Sequence, residues 1–269
     1  MFIYLPYCII CAQVVSNWGT RAGASPAPTL DETRSGIVQA RNQGLPRPGR
    51  IGHLCYNVLM DLSNIQQVVI ALRQRLEPVE RANQLRDALE GQRPNARQAA
   101  VLIGLFEQEG EATVIFIRRA STLRSHSGEI AFPGGAVDTT DESPVRAALR
   151  EAQEEIGLHP ARVEALGIMS PVFTVVSNFL ITPVVAFLPE GPGELHLQAS
   201  EVDDLLLLPL RGLADPAIAH TEEWTRDGQA RTVYFYDYGA CRIWGATARM
   251  LNALLGLLNM VYDEKTHKS

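Results

Sequence analysis

Cysteine is scarce in this chain and badly placed for stapling. Four cysteines in 269 residues, Cys8, Cys11, Cys55 and Cys241, form no disulfide framework, and the single C-x-x-C pair has no second pair to complete a zinc site. These read as reduced thiols, which predicts a cytoplasmic protein. Positive charge is also short: the formal net charge is −6, and no Lys/Arg stripe interleaved with aromatics occurs. A protein that holds a phosphate backbone through counterion release needs both, so nucleic acid is excluded as the main partner. A membrane-spanning run is missing as well. Met1 to Thr20 carries no charge, yet its apolar stretch to Val15 is interrupted by Pro6, lacks a positive leader and falls short of the ~20 residues needed to cross. There is no internal repeat.

What the chain has is enough apolar mass, 46% of residues against 20% charged, to bury a sizeable core. Charge is uneven along it. Residues 1–59 carry five Arg against Asp31 and Glu32, a balance of +3, so the remainder stands at −6 − 3 = −9. Arg21 to Gly52 is rich in Gly, Pro, Ala and Arg without hydrophobic period, the composition of a linker or disordered tail. The expected division is therefore an N-terminal extension over 1–59 and a folded domain over 60–269, with Met60 a candidate start codon.

Ser63 is a candidate N-cap for a helix carrying Ile65, Val68, Val69 and Leu72 that ends before Pro78, and a second helix is expected over Val79 to Leu89. Ala99 to Phe106 and Thr113 to Ile117 read as buried strands joined by a hairpin around Gly110. Further strands are expected at Val163 to Met169, Thr182 to Phe187 and Thr232 to Tyr238, and a core helix over Thr247 to Leu258.

The segment Ser143 to Gly157, SPVRAALREAQEEIG, has every mark of a helix: Ser143 at the N-cap, Pro144 in the first turn, Gly157 just past the end. Val145, Ala148, Leu149, Ala152 and Ile156 make an apolar stripe, and Glu151, Glu154 and Glu155 are expected away from it. These acids are helix neighbours that repel one another by roughly 0.2–0.5 kcal/mol per pair. Glu154 and Glu155 also meet the negative end of the helix dipole. A bound cation reverses both penalties. The same composition also describes an ordinary solvated acidic face partly neutralised by Arg146 and Arg150, so the residues upstream matter. There Gly128, Phe132, Pro133, Gly134 and Gly135 run into a glycine turn whose backbone can approach phosphate oxygens.

Together these residues resemble the box of the Nudix hydrolase superfamily, G-x5-E-x7-R-E-U-x-E-E-x-G-U, where U is aliphatic. Gly135, Glu142, Arg150, Glu151, Ala152, Glu154, Glu155, Gly157 and Leu158 match it, except that six residues rather than five separate Gly135 from Glu142. Asp141 stands at the position counted forward from the glycine, so either acid can be the outer carboxylate. Just upstream, Arg119 to Gly135 is similar to R-[SA]-x3-R-x3-G-x3-F-P-G-G of the coenzyme A diphosphatase branch. Thr182-Pro183-Val184-Val185, Glu201-Val202 leading to Pro209-Leu210, and Ile243-Trp244-Gly245 with Thr247-Ala248 extend the likeness over about Gln98 to Leu257.

The resemblance implies a Nudix α/β/α sandwich with a mixed β-sheet between helices, and hydrolysis of a diphosphate linkage in a small nucleotide-type substrate. In this branch the substrate is coenzyme A or a derivative, and the products are 4′-phosphopantetheine and adenosine 3′,5′-bisphosphate. Glu151, Glu154 and Glu155 are the expected metal ligands, with Glu151 or Glu154 as proton acceptor. An anionic substrate and three carboxylates need a cation between them, and an all-oxygen donor set suits Mg²⁺ or Mn²⁺. Arg119, Arg124, Gly134 and Gly135 are expected at the substrate phosphates. Arg150 is expected to orient carboxylates, while Glu142 and Glu201 support the site. His126 is a weak candidate base because the sequence supplies it no partner, and Phe173, Phe179 and Trp244 read as core. A homodimer is compatible with all of this. The competing readings are another X-linked nucleoside diphosphate as substrate, such as ADP-ribose or a dinucleotide, and a Nudix-fold ligand sensor without turnover.

Overall fold

The computed structural model describes residues 60–259 apart from 92, 94, 124, 125 and 227. The expected extension over 1–59 and the substrate contact Arg124 therefore lie outside the described residues. In chain order the elements are α1 (Ile65–Arg75), α2 (Ala82–Glu90), β1 (Arg97–Gln108), β2 (Glu111–Arg119), β3 (Ile130–Ala131), β4 (Gly134–Ala136), α3 (Pro144–Ile156), β5 (Glu164–Ile168), β6 (Val172–Thr174) and β7 (Phe179–Phe187). They are followed by β8 (Val202–Pro209), α4 (Leu210–Leu213), β9 (Ala219–Arg226), β10 (Gln229–Tyr238), β11 (Cys241–Trp244) and α5 (Gly245–Asn259).

Two-residue alternation on the central strands builds a core on each side of one sheet. Val101, Ile103 and Leu105 of β1, Val114 and Phe116 of β2 and Val185 of β7 pack against α1, α4 and α5. Ala100, Leu102, Ile115, Ile117, Val184 and Ala186 face the other way, onto α3 and the start of α2. The arrangement is an α/β/α sandwich, and the sheet is mixed because β1 runs parallel to β7 but antiparallel to β2 and β4. A separate antiparallel sheet, β9 to β11, closes the α5 side through Tyr236, Cys241 and Ile243. No helix among the described residues is long and apolar enough to cross a membrane.

The β1–β2 hairpin turns where expected, with Glu109 and Gly110 at φ 54° and 80°, as a two-residue type I′ turn requires. Its strands then part. They pair only from Leu105–Val114 to Gln108–Glu111, and the segment 130–136 enters the fork, β3 pairing with β2 and β4 with β1. The Leu102 N–H donates to the Pro133 carbonyl between those two pairings at 2.8 Å. This wedge sets the chain entering α3 at the open end of the hairpin.

Sequence expectations differ from the structure in detail. The N-cap of α1 is Asn64, whose side chain accepts from the Gln66 and Gln67 N–H groups, and not Ser63. Val79–Arg81 is a 3₁₀ turn, so α2 starts at Ala82. The strand over Val202–Pro209 has no strict alternation to announce it; it forms because β2 offers a free edge for it.

Candidate active site

The cap residues of α3 act as the sequence indicates. The Ser143 Oγ accepts from the Arg146 N–H at 3.3 Å, and Gly157 takes a left-handed φ of 71°. The Glu155 and Ile156 carbonyls, left over at the helix end, accept from the Gln198 and His196 N–H groups at 2.9 and 3.0 Å. A loop that leads to Glu201 is thereby tied to the last turn of the helix.

Glu155 departs from its expected place. Standing seven residues beyond Ala148 and three beyond Ala152, it lies at the edge of the apolar face and is buried. Its Oε2 accepts from the Gly134 N–H at 2.8 Å, and its Oε1 lies 3.7 Å from Arg119 Nη1. Burial pushes its carboxyl up to about 7, against the lowering effect of the Gly134 bond and Arg119, with Glu151 and Glu201 raising it further. Glu151 is also raised, chiefly by burial, with Arg150 lowering it and Glu154 and Glu201 raising it. Glu154 is exposed.

Arg150 organises the other side of the helix. Its Nη1 donates to Glu151 Oε1 at 2.8 Å and to Glu154 Oε2 at 3.1 Å. Its Nε and Nη2 grip both oxygens of Asp141 at 3.1 and 2.9 Å, and Nη2 also reaches the Ala136 carbonyl. The outer carboxylate is thus Asp141 and not Glu142, which is exposed and meets its surroundings through its carbonyl, an acceptor for the Asn83 amide. The physical reason is the turn before α3. The Asp138 N–H donates to Asp141 Oδ2 at 2.8 Å, folding Asp141 back beneath Arg150, whereas Glu142 lies beside the cap. The Arg150 bonds hold Asp141 below the usual carboxylate range.

The two glycines, expected at the substrate phosphates, have a steric task that the structure shows. The Gly134 N–H is already engaged by Glu155, and at φ 152° a Cβ there would lie 2.6 Å from the Val101 Cα. A Cβ on Gly135 would come within 2.5 Å of Glu151 Oε2. Gly134 thus lets β4 lie close against β1, and Gly135 lets α3 press Glu151 onto β4. Arg119 and Glu201 do converge on the site. The Ala120 N–H donates to the Glu201 carbonyl at 2.8 Å, next to the residue whose guanidinium faces Glu155. Phe173 and Phe179 belong to neither core; each lies half-buried beneath a guanidinium, Arg93 at 4.5 Å and Arg97 at 4.0 Å. Trp244 stacks with Phe235 and lies tilted against Trp224 on the outer face of the small sheet. Sequence reasoning left Asp141 and Glu142 as alternatives, and it is Asp141, at the five-residue spacing from Gly135, that Arg150 grips.

Among the described residues no group of three His, Cys, Asp or Glu side chains already stands as a formed metal-ligand cluster. The donor chemistry nevertheless fits a hard divalent cation. Glu151, Glu154 and Glu155 offer only carboxylate oxygens, and the two more buried ones are raised chiefly by burial, a penalty that a nearby cation offsets. Arg150 now bridges Glu151 and Glu154, and those carboxylates must turn from it to take a metal.

Comparison with known proteins agrees with this geometry. Residues 96–227 match the family model described as the NUDIX domain. A protein of Photorhabdus laumondii subsp. laumondii, described as an uncharacterized Nudix hydrolase NudL, is 39% identical over 160 residues, 60% of this chain and 84% of that protein. Its counterpart from Enterobacter sp. is 41% identical over 162 residues, 60% of this chain and 82% of the relative. A solved Nudix hydrolase from Alicyclobacillus acidocaldarius aligns with TM-score 0.40 and 20% identity, over 61% of this chain and 93% of that one. The assignment rests on the sequence matches. With its box residues gathered on one helix at the mouth of the hairpin fork, the chain belongs to the Nudix hydrolases, a family that cleaves phosphorus-containing anhydrides in nucleoside diphosphate-type substrates and generally uses divalent metal ions.

Proposed function

We propose that the chain hydrolyses the diphosphate of coenzyme A or a derivative, releasing 4′-phosphopantetheine and adenosine 3′,5′-bisphosphate. The observation that carries this reading is the meeting of Glu151, Glu155 and Arg119 at the end of the R-x3-R-x3-G-x3-F-P-G-G segment. Glu151, Glu154 and Glu155 would hold Mg²⁺ or Mn²⁺. The bound cation supplies an activated water and screens charge on the phosphates. Glu151 or Glu154 would take the proton from the attacking water, with Glu201, whose charge is felt by Glu151 and Glu155, as a further candidate base. Arg119 and Arg124 contact phosphate oxygens through their guanidinium forks. Asp141 positions Arg150, and Arg150 positions Glu151 and Glu154. Residues 60–269 carry the activity in this reading, and 1–59 are an extension.

Mass spectrometry of products from coenzyme A and its thioesters, run with Mg²⁺, with Mn²⁺ and with chelator, tests the reading. Metal-dependent appearance of both products is expected. Cleavage of ADP-ribose or a dinucleotide with coenzyme A untouched would move the substrate within the class, and tight binding without turnover would leave a sensor.

A further inference from the structure

Three described non-glycine residues take a positive φ: Glu109, Asn178 and His126. Glu109 does so inside the hairpin turn, and asparagine tolerates that region well. His126, at φ 57°, is different, because it belongs to the loop that leaves β2 at Arg119, whose guanidinium faces Glu155. Glycine would take this backbone without penalty, and Gly128, two residues on, does so at φ 71°. A histidine kept in a conformation that favours glycine points to a use for its side chain.

The partner that the sequence could not supply is present. His126 Nδ1 lies 2.9 Å from Glu129 Oε2, and the imidazole is about half exposed, 48%. Glu129 is fastened in turn to the end of β2. The Arg119 N–H donates to the Glu129 carbonyl at 2.9 Å, the Gly128 N–H donates to the Arg119 carbonyl at 3.1 Å, and the Glu129 N–H donates to the His126 carbonyl at 3.3 Å. Ser127 Oγ, donating to the Ser121 carbonyl at 2.7 Å, closes the turn. The histidine is therefore tethered through two short links to Arg119, whose guanidinium faces Glu155. A carboxylate on one ring nitrogen fixes ring orientation and tautomer, and leaves the other nitrogen for a ligand.

We propose that His126 is a substrate contact, its Nε2 donating to a phosphate oxygen of the diphosphate, and that Glu129 is the positioning residue holding Nδ1. The proposal rests on the diphosphate-hydrolase reading above. His126→Gly is the informative variant, since it removes the imidazole while suiting the backbone, so it is expected to melt no lower than the parent. KM for coenzyme A is expected to rise about tenfold with kcat within about threefold, because a ground-state contact is lost. Glu129→Gln, which keeps a hydrogen bond but not the charge, is expected to raise KM by a smaller factor. An unchanged KM in His126→Gly, or a fall in kcat alone, overturns the proposal. If the parent cleaves another diphosphate instead, the same constants are measured on that substrate, so the fate of His126 is read apart from the coenzyme A assignment. Calorimetric titration with ADP needs no turnover. A Kd weakened about tenfold in His126→Gly supports the contact, whereas equal affinity, or no binding by the parent, overturns it.

Discussion

The two ends of α3 treat hidden acids in opposite ways. Before its first turn Asp141 has a side chain only 6% exposed, and it is held below the usual carboxylate range because both oxygens meet the Arg150 fork. At its last turn Glu155, 2% exposed, receives one backbone N–H and a more distant Arg119, and burial drives it up to about 7. Both side chains are hidden from water, but Glu155 lies far deeper than Asp141, so the difference lies in depth as well as in partners. An acid with a bidentate cation is satisfied by the protein, while an acid left short of positive charge is a place where a metal gains most. The chain thus separates a girder that aims its carboxylates from an acid where, in the function proposed above, a cation would sit.

The strongest way to break this comparison is Glu155→Gln. Turnover is expected to fall about 10³-fold, roughly 4 kcal/mol of transition-state stabilisation. In chelator, however, the variant should be more stable than the parent at pH 8, and saturating Mg²⁺ or Mn²⁺ should stabilise the parent more. Thermal melts with and without metal give both signs. Strong destabilisation of the metal-free variant would make Glu155 a structural residue.

A second test follows the proton. Glu155 has a folded pKa of about 7 against an ordinary 4.5, so its neutral form favours folding. Without metal its contribution is full below the ordinary value and is lost as pH rises towards 7, up to about 3 kcal/mol. Asp141 runs the other way: its folded value is depressed, so its contribution is present above the ordinary value of 3.8 and lost as pH falls. Urea unfolding of chelated parent and of Glu155→Gln across pH 4 to 8 should show a slope of the first sign that is steeper in the parent, since Glu151, also raised, remains in the variant.

The girder is tested by its own acid. Asp141→Asn should cost about 2 kcal/mol in urea unfolding, the loss of charge-assisted bonds to Arg150, and should lower kcat because Glu151 and Glu154 lose their alignment. Glu142→Gln should stay within about 0.5 kcal/mol of the parent. The reverse ranking would restore Glu142 as the outer carboxylate. The smallest effect is expected outside the described residues. Removing residues 1–59 should leave metal-dependent turnover and melting unchanged, and a collapse of either would show that the extension belongs to the fold.

The sequence by itself determined the helix that carries the box carboxylates and most of the sandwich. Ser143, Pro144 and Gly157 act within a single turn of their own backbone, so the limits of α3 needed no tertiary information. The long alternating strands β1 and β2 and their Glu109-Gly110 turn were legible for the same reason. What depends on distant partners was not. The strand at Val202–Pro209 exists because β2 presents an edge, and the choice between Asp141 and Glu142 turned on a loop folding back under Arg150. Helical spacing alone set Glu155 away from the apolar stripe, yet the wedge of 130–136 in the hairpin fork brings the Gly134 N–H over it and buries it. Spacing along a helix fixes which residues can meet, but what desolvates a carboxylate is the surface packed against it, and only the assembled fold supplies that surface.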